Sequence, residues 1–177
     1  MSMNPAASAR VKLLMAALLF STGGAAIKAT TLTGWQVASF RSGIAALAVL
    51  LLAPEARRGW SWRALVVGVA YAATLVLFVT ANKLTTSANT IFLQATAPLY
   101  MVVLGPLLLR ERVQRKDLIV MAAVGAGLAL VIAGHDAPVA TATDPARGNL
   151  LAALSGVTWA LTVCGLRWLG SGAADVS

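Results

Sequence analysis

Residues 86–109 read "TSANTIFLQATAPLYMVVLGPLLL". No side chain in the stretch is charged. An apolar run of about 20 residues is long enough, as a helix, to cross the hydrocarbon of a bilayer. Strands of a membrane barrel are shorter and alternate apolar with polar residues, and this run does not alternate. A spanning segment must satisfy its backbone internally, so the run reads as a transmembrane helix. Pro98 and Pro106 each remove a backbone donor, which predicts a kinked helix.

The same reading extends along the chain. Six apolar runs, at 12–31, 34–53, 64–82, 86–109, 117–134 and 149–169, are each near spanning length. Hydrophobic residues make up 59% of the chain and charged residues 11%, with a mean hydropathy of +0.81. The expected fold is all-α, a polytopic membrane helical bundle with six transmembrane helices. A net charge of +8 in a soluble chain would suggest nucleic acid. Here the cations sit between apolar runs: Arg10 and Lys12, then Arg57, Arg58 and Arg63, then Arg110, Arg112, Arg115 and Lys116. Single crossings put these three groups on one side, so the positive-inside bias places the N-terminus in the cytoplasm. Arg167 and Trp168 fall on that side too. "RERVQRKD" therefore reads as a headgroup-level turn and not as a nucleic-acid site. No cleavable leader is recognisable, and the expected location is the inner membrane, multi-pass.

Ionisable residues inside spanning segments are costly and mark function by default. Lys28 lies near the outer end of the first run, and Arg41 lies about 10 Å below the outer end of the second. Each is read either as snorkelling to the headgroups or as lining a cavity. In the fourth run, Lys83, Ser87, Thr90, Gln94 and Pro98 fall within about 80° of one another on a helix, a polar stripe. Asn89 and Thr96 form a weaker spot opposite. Such groups either bond between helices or line a passage. The candidate cavity residues are Lys28, Arg41, Asn82, Asn89, Gln94 and Trp159. No Walker A sequence, HExxH or GxSxG occurs. All six acidic residues lie in loops or at helix ends. His135 and Cys164 stand alone of their kind and make no metal set. No catalytic residue, metal or cofactor is expected, and the chain is read as a non-enzyme.

The first and last runs share a pattern. "FSTGGAAIK" and "WALTVCGLR" each carry an aromatic, seven small or apolar residues and a base, so that Phe20 and Lys28 match Trp159 and Arg167 at a constant separation of 139 residues. The two runs cross in opposite directions, as in an inverted repeat. Residues 81–134, with Ser87-Ala88-Asn89, Pro98, Glu111 after a leucine run and a Gly-rich helix following, resemble the EamA-type members of the drug/metabolite transporter superfamily. "FSTGGAAIKA" and "SFRSGIAAL", the latter with Arg41, resemble that family's first two helices. The resemblance implies two inverted five-helix repeats around a central cavity. It divides this chain into a first repeat at 1–134, an extracytoplasmic loop at 135–148 and the incomplete start of a second repeat at 149–177. It also implies a secondary transporter, an exporter of small metabolites, amino acids or drugs by alternating access. The alternative is a non-transporting membrane assembly subunit or an inactive truncated fragment. The expected partners are a small-molecule substrate and the lipid bilayer, with no nucleic acid, and homo-oligomerisation if the chain is this short. On this reading the last helix lacks its natural neighbours and is expected to pack poorly.

Overall fold

The computed structural model describes residues 5–53, 57, 61–109, 114–133 and 142–174. Regular structure among them is helical throughout. The helices are α1 (Pro5–Ala29), α2 (Gly34–Leu52), α3 (Trp62–Leu84), α4 (Ser87–Gln94), α5 (Ala97–Leu104), α6 (Arg115–Ala133) and α7 (Pro145–Ala174). A π-helical segment, Gly105–Leu109, extends α5. Five stretches among the described residues are long and apolar enough to cross a membrane: Ser8–Ala29, Gly34–Leu52, Trp62–Leu84, Ser87–Leu108 and Pro145–Gly170. α6 occupies the fifth run expected from the sequence. The all-α polytopic bundle is the observed architecture.

The helix boundaries follow from local chemistry. Thr33 opens α2 with a full capping box, its hydroxyl accepting from Gln36 N while the Gln36 side chain accepts from Thr33 N. Ser61 and Thr86 cap α3 and α4 with one side-chain bond each, accepting from Ala64 N and Asn89 N. α7 begins earlier than hydropathy alone suggests because Asp144 accepts from Arg147 N at 3.2 Å and Pro145 supplies a preset first turn.

The prolines break the fourth run as expected. A proline ring clashes with the carbonyl four residues back. For Pro98 that residue is Gln94, where α4 stops. Thr96 bridges the gap, its amide and its hydroxyl both donating to Leu93 O, at 3.3 and 2.6 Å. Pro106 falls inside the π-helical segment, where the wider ladder absorbs its missing donor.

The centre of the bundle is the pair α3 and α7, and here the structure overturns an expectation. α7 is not poorly packed. It lies antiparallel along α3 and also packs on α4 and α5. Asp144 N donates to Leu84 O at 3.0 Å, Thr74 meets Thr158 at 2.9 Å, Gly165 faces Val67, and Trp62 meets Trp168 edge-on at 5.3 Å. These pairs run in opposite directions along the two helices. Arg63 adds its guanidinium over the Trp168 ring at 4.8 Å, a cation–π contact at the basic end of the bundle.

The reason is residue size. Gly148, Ala152, Ser155, Gly156, Ala160, Thr162 and Cys164 are the buried residues of α7. Lipid gives apolar helices no hydrophobic reason to associate, so small residues that let backbones approach provide the packing. A Cβ on Gly148 would lie 2.7 Å from Thr85 Cβ and 2.8 Å from Thr85 N. One on Gly156 would lie 3.1 Å from Leu93 O and 3.3 Å from Gln94 O. The α4–α5 break thus presents its carbonyls to a glycine of α7. Leu150, Leu154, Leu161 and Leu166 remain exposed, as lipid-facing leucines should.

α1, α2 and α6 are peripheral. Ile27 of α1, Ala38 of α2 and Val79 of α3 form one small cluster with Val37 and Val76. Gly34 brings α2 against Thr80 of α3, so closely that a Cβ on Gly34 would lie 3.0 Å from Thr80 Cα. Elsewhere α1 and α2 present Leu13, Leu14, Leu18, Phe40, Ile44 and Leu47 outward.

Gly148→Ala is expected to lower stability by about 1–3 kcal/mol, the usual cost of overpacking. Gly68→Ala, where a methyl meets nothing within 4 Å, should leave stability unchanged or slightly raised. Thermal unfolding of the detergent-solubilised protein reads both. Equal midpoints for the two variants would contradict the α3–α7 seam.

Candidate functional site

The polar side chains converge at the end of the bundle opposite Arg63 and Trp168. α3 ends at Leu84 and α4 begins at Ser87, so Thr85 and Thr86 form a break between two helix ends. Asn82, Thr85, Ser87 and Asn89 come together around it. α1 adds Lys28 and Gly24, and α7 adds Asn149.

Two lysines tie this end together. Lys28 Nζ donates to Thr85 O at 2.8 Å, and Lys83 Nζ donates to Thr30 O at 2.6 Å and to Thr30 Oγ1 at 3.1 Å. Each is the last-turn cation of its own helix. Each reaches the carbonyls that terminate the other. Helix C-termini leave carbonyls unpaired and carry partial negative charge, so an ammonium suits them. The exchange is reciprocal and holds α1 parallel to α3. Lys83 therefore belongs to α3, and the stripe drawn from Lys83 to Pro98 does not form one helix face. The capping at Thr85 and Thr86 and the stop at Gln94 divide it in three.

Asn149 Oδ1 accepts from Thr85 Oγ1 at 2.8 Å and from Asn89 Nδ2 at 3.5 Å. Asn82 is fully buried. Its Oδ1 accepts from Ser87 Oγ at 2.9 Å, while its Nδ2 has no acceptor. A buried donor left unpaired costs about 1–3 kcal/mol. Gly24 makes room for this pair, since a Cβ there would sit 3.0 Å from Ser87 Oγ.

The sequence candidates divide as follows. Lys28, Asn82 and Asn89 meet at this node. Arg41 lies outside it, on a groove between α1 and α2 of about 430 Å³ lined by Leu19, Gly23, Ala26, Ile27, Thr30, Val37 and Arg41. Gln94 is half-buried at the α4–α5 break, more than a turn from the node. Trp159 faces outward on α7 beside Tyr71, with ring centroids 6.2 Å apart. Thr85 and Asn149 escape the sequence reading. Thr85 falls there between the third and fourth runs, and Asn149 is the polar start of an unaccompanied helix. The signal that could find Thr85 is the run Thr85-Thr86-Ser87, three hydroxyl residues that favour caps over helix interiors.

The last turns of α1 are the wall between groove and node. Gly23, Ile27 and Thr30 face the groove; Gly24 and Lys28 face the node. Among the described residues no group of three His, Cys, Asp or Glu side chains is placed to hold a metal. His135 and Asp136 lie outside the described residues.

A bundle of apolar helices with five stretches long and apolar enough to cross a membrane, and a polar node at the turn between two of them, marks a multi-pass membrane protein. A family model for the EamA-like transporter family matches residues 8–133, which takes in α1 through α6, and the chain belongs to that family. Comparison with curated proteins and with solved structures found no match.

Lys28→Met and Lys83→Met are each expected to destabilise the protein. Because both lysines hold the same two helix ends, their effects should couple by about 0.5 kcal/mol or more in a double-mutant cycle. Strict additivity of the unfolding free energies would contradict the reciprocal tie.

Proposed function

We propose that the chain works in the export of a small metabolite, amino acid or drug across the inner membrane, with its basic end in the cytoplasm. The observation that carries this reading is Asn82. A fully buried amide with an unused donor, beside a helix break, is a poor structural element and a good solute contact. Polar groups buried within a membrane bundle are costly and mark solute pathways by default.

The mechanism is alternating access. The α3–α7 seam, with α4 and α5 packed on it, is the rigid part. α1 touches that part at few points, chiefly Gly24 and the two lysine ties. Rocking of α1 and α2 would separate Gly24 from Ser87 and Asn82 and open the node to the groove. Lys28 and Lys83 would exchange their carbonyl partners for water or solute. Thr85, Asn89 and Asn149 would remain on the rigid side as the floor of the passage.

Efflux of a labelled panel of amino acids and cationic and neutral drugs from cells expressing the full-length protein tests this. Asn82→Leu should lower efflux of the transported compound by on the order of tenfold, equivalent to the loss of one good hydrogen bond to solute. Efflux equal to wild type at matched membrane abundance would remove Asn82 from the path.

A further inference from the structure

Arg41 has no partner that accounts for its position. It lies seven residues into α2, about 10 Å from the helix start, and Gly23 lies at a similar distance, about 9 Å, from the end of α1. The backbones of Arg41 and Gly23 are therefore at a similar depth. No hydrogen bond or ion pair joins Arg41 to any described residue, and neither described carboxylate serves it: Asp144 pairs with Arg147 at 3.3 Å and Asp117 accepts from Gln114 N at 2.8 Å. An arginine within a spanning segment is costly unless it meets an anion, an acceptor or water.

The groove beside it has a definite composition. Leu19, Ala26, Ile27 and Val37 are apolar, and the Thr30 hydroxyl is already engaged with Ile27 O at 3.1 Å and with Lys83. Arg41 is the one charge on the lining. A methyl on Gly23 would meet nothing within 4 Å, so the groove is open beside this glycine. Its volume of about 430 Å³ falls in the range of small-molecule sites.

We propose that this groove binds an amphipathic anion: a carboxylate or phosphate head paired with the Arg41 guanidinium, and an apolar body lying against Leu19, Ile27 and Val37. Arginine presents parallel donors that match carboxylate and phosphate oxygens. A cationic ligand is repelled, and a small hydrophilic anion leaves the apolar walls unfilled. The site is separate from the Asn82 node, which lies on the other side of α1, and it does not require that the bound anion be the transported solute.

The test uses the full chain in phosphatidylcholine nanodiscs and the probe 11-(dansylamino)undecanoate, read by energy transfer from the protein's tryptophans. Saturable binding is expected. Arg41→Gln should weaken it about tenfold or more, and Arg41→Lys should retain most of it, because charge-assisted pairing supplies the head contact. Gly23→Phe fills the groove without altering the charge and should abolish binding while leaving the unfolding temperature near wild type. If that variant unfolds, the Arg41→Gln and Arg41→Lys pair still decides. Dodecanoate should displace the probe, and dodecanol and dodecylamine should not. Displacement by phosphatidylglycerol in the disc assigns the anion to the lipid; displacement by octanoate without an effect of phosphatidylglycerol assigns it to a free solute. Undiminished binding in Arg41→Gln, or displacement by dodecanol as effective as by dodecanoate, would overturn the proposal. Loss of efflux in Asn82→Leu with probe binding intact separates this site from the transport path.

Discussion

Close backbone contact between α3 and α7 is the constraint on which the rest of this molecule depends. In lipid, leucine faces gain nothing by meeting one another, so association must come from packing and from interhelical hydrogen bonds. Gly148 and Gly165 let α7 approach the two ends of α3 more closely than a Cβ would allow, and Gly156 makes a tight fit to the α4–α5 break. Thr74 with Thr158, and Thr85 with Asn149, add polar contacts along the same seam. Each such bond contributes roughly 0.6–2 kcal/mol in membranes, so no single one holds the pair. Their antiparallel register does.

From that seam follows the placement of everything polar. α7 covers the α4–α5 break with a glycine, so the carbonyls exposed by Pro98 face a helix surface without a side chain. It also brings Asn149 to the α3–α4 break, where Thr85 and Asn89 share its oxygen. The two breaks therefore sit against α7, while the helix that covers the node, α1, is held by the Gly24 seat, two lysines and the small cluster around Ile27. This distribution puts a helix with few ties over the Asn82 amide, whose Nδ2 has no acceptor. It is the arrangement expected where a solute contact must open and close.

Much of this is legible in the sequence in physical form. Uninterrupted apolar length carries the all-helical, membrane-spanning character, and Pro98 and Pro106 mark the fourth run as the one that departs from a straight helix. Lys28, Asn82 and Asn89 are identifiable because polar groups are rare in such segments. The partners they choose are not. Lys28 and Lys83 each bond a carbonyl more than fifty positions away in the chain, and no local pattern specifies that exchange. The packing of α7 is hidden for a related reason. Its likeness to α1 suggests a helix awaiting absent neighbours, whereas its small residues already record a close fit. The spacing of Gly148, Ala152, Ser155, Thr162 and Gly165 is the better guide.

Cross-linking in the native membrane tests the seam most directly. In a Cys164→Ala background, Thr74→Cys combined with Thr158→Cys should join rapidly on mild oxidation, since the parent hydroxyls are 2.9 Å apart. Thr74→Cys combined with Leu150→Cys, about two turns out of register, should not. Rapid joining of the first pair alone is the predicted result. Failure of that pair, or equal joining of both, would contradict the antiparallel α3–α7 core.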